Sequence, residues 1–564
     1  VMERDLQKTS WIGGALVIAW LLVQFRGLRP LVLLLLPLAT GVLTTLGVVG
    51  VLGLELNLVS AFTFAILVGI GVDFGVHLLM HYGDLRREGV PLVDALGQAM
   101  LELRGSMAAA AFTTAFAFGM LTFAEFRGLS QLGGIAAVGV LVAVLVYRLL
   151  VPPLAIAMDA LVAEKRSPVR EHAWLRARPP TRRRSVATAI GFFALAVVLS
   201  YFAKDASFEY DFRRLNPKEI AHGIESSATM HGASGVPIYV LAHDVTEAAS
   251  VAREIESDLA QGFTTKERLL SLSLTNFLPP DVDARLVEIR RMRAALDRIW
   301  PKLDEEDRAR LEEVRELVRR DDPITIELLP EFVRDSFVER DGTPGAFAVV
   351  YVRVSGSDAV LMEKLSRIIQ RFREAHPGVQ IAAPAAVVGE IMPSLRADGP
   401  LVVGVTLLGL FVTTLVISRS LRRTILVIAP VLVGSGVAIG LLGLFDVRIN
   451  FYNMLIIPVA YGIGIDGAIY VAWAMEGPPE TREAALRVAR RGVIASSMTT
   501  LGAFASFVFA SNPGLTSLGN AAIIMLGSML VATTYWLPAV YRAREAAPGG
   551  AEPIETSAGT PPPG

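Results

Sequence analysis

The chain alternates long, uncharged apolar runs with stretches crowded by Arg, Asp and Glu. A helix that crosses a bilayer needs ~20 mostly apolar residues, and by that measure eleven segments predict spanning helices, in groups of five, one and five. The first five cover residues 11–25, 30–54, 58–81, 106–123 and 129–158, and the sixth covers 185–202. The last five cover 401–418, 425–445, 451–475, 493–510 and 515–541. Between the sixth and seventh lies one soluble block, residues 203–398. There, apolar β-branched runs at 237–243 and 346–354 predict strands, and helical patterns at 247–259 and 361–372 alternate with them as in an α/β domain. Leu286, Ile289, Met292, Leu296 and Ile299, then Leu311, Val314 and Leu317, recur at helical spacing on either side of Pro301, which predicts a helical hairpin whose many Arg and Glu residues form a solvated face.

Charge sets the orientation, because short loops rich in Lys and Arg stay in the cytoplasm. The linker over 161–184 carries Lys165, Arg166, Arg170, Arg176, Arg178, Arg182, Arg183 and Arg184. The turns with Arg26 and Arg29, and with Arg419, Arg422 and Arg423, fall on the same side, as do the amphipathic stretches 86–104 and 482–491. The predicted order is a first transmembrane repeat over 1–160, a basic cytoplasmic linker over 161–184 and a single spanning helix over 185–202. An outer domain over 203–398, a second transmembrane repeat over 399–543 and a disordered cytoplasmic tail over 544–564 follow.

Composition agrees with a mostly α integral membrane protein: 53% of the residues are hydrophobic, too many for an ordinary soluble set. The net charge of -1 gives no footprint for nucleic acid, and the lack of any cysteine removes disulfides, thiol catalysis and cysteine metal sites. The glycine-rich motifs lack a P-loop lysine, and neither metal-ligand nor nucleophile-and-base spacing occurs, so no catalysis, cofactor or metal is expected.

The two groups of five helices are copies of one another. At an offset of 393, Arg26, Leu28, Arg29, Pro37, Gly41, Gly47, Gly50, Asn57, Gly69, Ile70, Gly71 and Asp73 meet identical residues at Arg419, Leu421, Arg422, Pro430, Gly434, Gly440, Gly443, Asn450, Gly462, Ile463, Gly464 and Asp466. At an offset of 386, Thr113, Thr114, Phe118, Phe123, Ala124, Gly128, Leu129, Leu132, Gly133 and Pro152 meet Thr499, Thr500, Phe504, Phe509, Ala510, Gly514, Leu515, Leu518, Gly519 and Pro538. Equivalent helices enter from the same side, so the repeats are parallel and related by an axis along the membrane normal, as in one class of transporters. Since the second copy follows a helix and an outer domain, symmetry places a twelfth helix and a second such domain upstream of Val1.

Inside these copies lie two acids, and a carboxylate at mid-membrane costs ~2.5–3.5 kcal/mol on insertion scales, which marks Asp73 and Asp466 as functional candidates. Each follows alternate glycines, Gly69 and Gly71 or Gly462 and Gly464, small residues that let helices approach closely and bring the acids toward the pseudo-symmetry axis. His77 and Tyr470 lie one turn further on the same face. Either could pass a proton, or simply pack.

Asn57 leading into G-I-G-V-D-F-G-V-H (69–77) and Asn450 leading into G-I-G-I-D-G-A-I-Y (462–470) resemble the fourth and tenth helices of the RND superfamily in its MmpL-like branch. F-E-Y-D-F-R-R-L-N-P (208–217), S-L-T-N-F-L-P (273–279) and L-P-E-F-V (329–333) are similar to the hopanoid-transporter members. The resemblance implies twelve helices in two halves, a porter domain after the first helix of each half, and a location in the bacterial inner membrane with the porter domain in the periplasm. It also implies export of a lipid or other hydrophobic molecule driven by protons through Asp73 and Asp466, with a homo-oligomer of two or three copies and periplasmic partner proteins. In the family the following helices pack hydroxyls against the acids, which implies such roles for the pairs Thr113, Thr114 and Thr499, Thr500; bonding to their own helices is the alternative. One departure stands out: Phe74 and Gly467 follow the acids where many members carry tyrosine. Drug efflux by the same machine is a competing reading, and a sterol-sensing or protein-translocation relative with dispensable acids is another.

Overall fold

In the computed structural model the described residues are 2–25, 27–53, 58–124, 127–161, 181–205, 208–209, 236–262, 269–279, 281–319, 325–338, 345–352, 358–383 and 386–545. Asn57, Glu125, most of the basic linker, most of the 208–217 motif and most of the tail lie outside them. In chain order the helices are α1 (Met2–Gln24), α2 (Leu28–Val51), α3 (Leu58–Arg87), α4 (Leu92–Glu102), α5 (Arg104–Met120), α6 (Arg127–Leu161) and α7 (Arg182–Tyr201). Then come β1 (Val236–Leu241), α8 (Val245–Gly262), β2 (Leu269–Ser273), α9 (Val282–Ile299), α10 (Glu305–Arg319), β3 (Phe347–Val352), α11 (Ala359–Ala375) and β4 (Gln380–Ala382). The chain continues through α12 (Ala386–Ser418), α13 (Leu421–Leu444), α14 (Ile456–Met475), α15 (Pro479–Ala505), α16 (Pro513–Val531) and, after a π-helical turn over Ala532–Trp536, α17 (Leu537–Glu545). Two compact units result, Val1–Pro217 with Ser394–Gly564, and Lys218–Pro393.

The first unit is a multi-pass helical bundle. Among the described residues ten helical stretches are long and apolar enough to cross a membrane, and they coincide with ten of the eleven predicted segments. The eleventh, 11–25, is the apolar part of α1, whose preceding residues include the polar Gln7, Lys8, Thr9 and Ser10. The seven-residue difference between the copies has a structural cause: α3 runs on to Arg87, whereas α14 stops at Met475, the counterpart of Tyr82. The same region is two helices in the first copy, α4 and α5, and one continuous helix, α15, in the second.

Glycines retained in both copies explain how the helices close. A Cβ at Gly133 would fall 2.4 Å from Phe118 O, and one at the equivalent Gly519 would fall 3.1 Å from Phe504 O, so both copies need a bare backbone where the sixth helix crosses the turn after the fifth. Gly71 faces Leu38 and Ala143, and Gly464 faces Met529. One pair differs. Gly440 lies against α7, where a Cβ would meet Leu199 O at 2.2 Å, whereas its counterpart Gly47 has nothing within 4 Å among the described residues.

The second unit holds a four-stranded antiparallel sheet in the order β2-β3-β1-β4. Alternation in β1 turns Val236, Ile238 and Val240 inward, and Ala348, Val350 and Val352 of β3 do the same. Ala248, Val251, Ala252, Ile255 and Leu259 of α8 and Met362, Leu365, Ile368 and Ile369 of α11 complete that core at helical spacing. The predicted strands and helices are thus in place. The short β2 and β4, which carry too little alternation to be read from sequence, are additions. The hairpin is α9 and α10, with no buried residue on α9 and only Val318 on α10, as a solvated face requires. Ser273 and Asn276 form a capping box, and Leu274 packs with Leu329, Val333 and Phe337, so the 273–279 and 329–333 motifs share one small core.

Overpacking a tight site costs ~1–3 kcal/mol. Gly440→Leu is therefore expected to lower the thermal unfolding temperature of the detergent-solubilised protein by several degrees, whereas Gly47→Leu leaves it within error; a scan of both variants checks this.

Candidate functional site

The two acids sit in the seam between the repeats. Asp73 lies in the middle of α3 and Asp466 in the middle of α14, 9% and 8% exposed. Both belong to helices buried on nearly every side, which explains why these segments lack the one-sided apolar pattern of a surface helix.

Their hydrogen-bond partners come from the opposite repeat. Thr114 of α5, in the first copy, donates its hydroxyl to Asp466 Oδ1 at 2.6 Å and lies 2.9 Å from Gly462 O. Thr499 and Thr500 of α15, in the second copy, approach Asp73 Oδ1, each at 3.4 Å, and Thr500 is 3.5 Å from Oδ2. Gly69 eases one of these approaches, since a Cβ there would stand 3.3 Å from Thr500 Cγ2, whereas a Cβ on Gly462 would make only ordinary contact with Thr114 Cγ2 at 3.6 Å. Thr113 and its counterpart Thr499 both turn the hydroxyl back to their own helix, Thr113 to Ala109 O and Ala110 O at 2.8 and 2.9 Å and Thr499 to Ser496 O at 2.5 Å. The two acid sites are therefore unequal, one held by a short bond and one by several long ones.

His77 and Tyr470 meet across the seam. Their rings stack with centroids 3.8 Å apart and planes 12° apart. Space for the imidazole comes from Gly492, where a Cβ would fall 2.6 Å from His77 Nδ1. On its other side His77 Nε2 lies 3.4 Å from Ser496 Oγ. The Tyr470 hydroxyl is buried and has no hydrogen-bond partner among the described residues.

Four further residues belong to this layer. Ser496 stands where the first copy has Ala110, so the repeat comparison passes over it. Tyr147 donates to Leu34 O at 2.6 Å and lays its ring on Gly75, where a Cβ would meet Cε1 at 2.2 Å. Toward the basic end of the seam, buried Arg491 of α15 binds both oxygens of Asp84 on α3, which also takes Arg87 at 2.7 Å. An ionisable residue inside a spanning helix was the available sequence signal for Arg491; its partner lies on another helix and carries no such mark. Gly467, which stands at the counterpart of Phe74, lines a narrow cleft with Ser497, Thr500 and Thr533. No group of three or more metal-ligating side chains occurs among the described residues.

Known proteins share this architecture. A model of the MMPL family matches residues 1–188 and 292–545. The chain is 24% identical over 569 residues to the hopanoid transporter HpnN of Rhodopseudomonas palustris (strain TIE-1), covering 86% of this chain and 61% of that protein. It is 24% identical over 592 residues to the hopanoid transporter HpnN of Burkholderia multivorans, covering 93% and 65%. The chain thus spans less than two thirds of the length of these relatives. The probable transport protein MmpL10 of Mycobacterium leprae is 28% identical over 229 residues, 38% of this chain and 22% of that one. Among solved structures, SecDF, a translocon-associated membrane protein from Thermus thermophilus, aligns with a TM-score of 0.58 and 14% identity over 95% of this chain and 62% of that chain, a likeness of fold. Since the family model covers both helical repeats, with the paired acids in their seam, the chain belongs to the MMPL family, within the RND superfamily.

Proposed function

We propose that this chain is the proton-driven core of a transporter that extracts or exports a lipid or other hydrophobic molecule, a hopanoid, sterol-like or acyl lipid, from the bacterial inner membrane. The observation that carries the reading is the exchange of partners at the seam, where each acid is held by hydroxyls of the other repeat. A proton arriving at Asp73 or Asp466 removes a charge from hydrocarbon and weakens the hold of those hydroxyls, so occupancy alters how the halves fit together. His77, Tyr470, Thr114, Thr499 and Thr500 serve as relay and orienting groups, with His77 and Tyr470 stacked on one another between the copies. The name that two of the relatives carry, hopanoid transporter, supports a hydrophobic cargo over a small polar one. In this reading the sheet-containing unit is a periplasmic porter domain, the linker over 161–184 and the tail over 544–564 are cytoplasmic, and the working assembly is an oligomer with periplasmic partners.

Asp73→Asn and Asp466→Asn are each expected to reduce cargo movement to background while leaving the protein folded and in the membrane. The check is lipid accumulation in a deletion strain complemented with each variant, together with proton flux into vesicles holding the purified protein. Full transport by either variant overturns the reading. Thr114→Val removes the short bond to Asp466, and a hydrogen bond to a charged group is worth ~1.5–3 kcal/mol, so transport should fall about tenfold or more. Thr113→Val, which removes only bonds to its own helix, is expected to change transport by less than about twofold in the same assay.

A further inference from the structure

Along α3 the titratable side chains do not stop at the seam. Asp73, His77 and His81 follow one another at intervals of one turn, toward the basic end of the bundle. His81 Nε2 lies 2.6 Å from Glu102 Oε2 at the end of α4. Gln98, one turn earlier on α4, donates to the other oxygen of Glu102 at 2.8 Å, which fixes the carboxylate with one oxygen on the ring. Exposure rises along this line: Asp73 and His77 are buried, whereas the side chain of His81 is 20% exposed and that of Glu102 is 46% exposed. The neighbouring charges are engaged with one another, Asp84 of α3 with Arg87 and with Arg491 of α15.

The second copy has no such line. Ala474 follows Asp466 and Tyr470 at the same spacing, and the counterparts of Gln98 and Glu102 at the offset of 386 are Ala484 and Val488. Two buried acids thus came from the duplication, but the three-turn series of titratable groups belongs to one copy alone. Fastening α3 to α4 needs no histidine, and surface pairs of that kind contribute little to stability. What sets this pair apart is its chemistry. An imidazole takes up and releases protons near neutral pH, and a carboxylate fixed on its Nε2 can receive the proton from it.

We propose that His81 and Glu102 form the group that exchanges the transported proton with the cytoplasm. The proposal rests on the proton-driven reading and gives the outlet to Asp73 rather than Asp466. A proton passed down α3 charges the His81 ring, the ring gives its Nε2 proton to Glu102 Oε2, and Glu102 releases that proton to water. One proton enters and one leaves, so both side chains return to their starting charge. The interval from His77 to His81 is one helical turn, ~5–6 Å between Cβ atoms, which one bridging water spans.

The test measures proton flux through the whole chain in vesicles, driven by a potassium diffusion potential with equal pH and equal imidazole on both sides. Protein-free vesicles set the background. His81→Ala, which installs the residue of the second copy, is expected to lower flux about tenfold or more. Millimolar imidazole should restore most of that flux, because the site is open to small molecules, whereas thiazole, a ring of the same shape that takes no proton near neutral pH, should restore none. His81→Gln keeps a hydrogen-bond donor for Glu102 without a titratable ring and should show the same loss and the same rescue. Full flux in His81→Ala or His81→Gln, or a loss that imidazole leaves unrepaired, overturns the proposal while Asp73→Asn remains inactive. Full flux in Asp73→Asn overturns the proton-driven reading, and this outlet with it.

Discussion

A carboxyl group in the middle of a bilayer is among the most expensive things a helix can carry, and this bundle carries two of them, one in each repeat. Neither hydrocarbon nor water can serve them there. The surroundings must supply hydrogen-bond donors and exclude lipid, which requires helices packed on every side. The alternate glycines before each acid, the threonines opposite and the near-total burial of α3 and α14 are all parts of that one requirement.

Duplication met the requirement by mutual dependence. Thr114 on α5 reaches Asp466 of the other copy at hydrogen-bond distance, and Thr499 and Thr500 of α15 approach Asp73 in turn. Half a bundle would therefore bury an acid without its donors. After duplication the copies diverged. Asp466 keeps one short bond, whereas Asp73 shares two long ones, and a histidine in one copy faces a tyrosine in the other.

Much of this was legible in the chain itself, since hydropathy marks spans and exact repetition marks which polar residues survived. The spans, the acids, their glycines and the threonine pairs all carry such marks. Periodicity, however, orders residues around one helix and is silent on which neighbour each face meets. So the exchange of threonines between copies, the back-bonding of Thr113, and the meeting of His77 with Tyr470 and Ser496 needed the tertiary structure.

The extra turn of α3 adds one more asymmetry. It carries Asp84 to where Arg491 can hold it, and the positions matching these two in the other seam are Gly477 and Gly105. One edge of the bundle is riveted by charge and the other has no side chains to rivet. The two edges are therefore tied by different means: α3 and α15 by an ion pair near their ends, α5 and α14 by the hydroxyl bond from Thr114 to Asp466 deep in the seam.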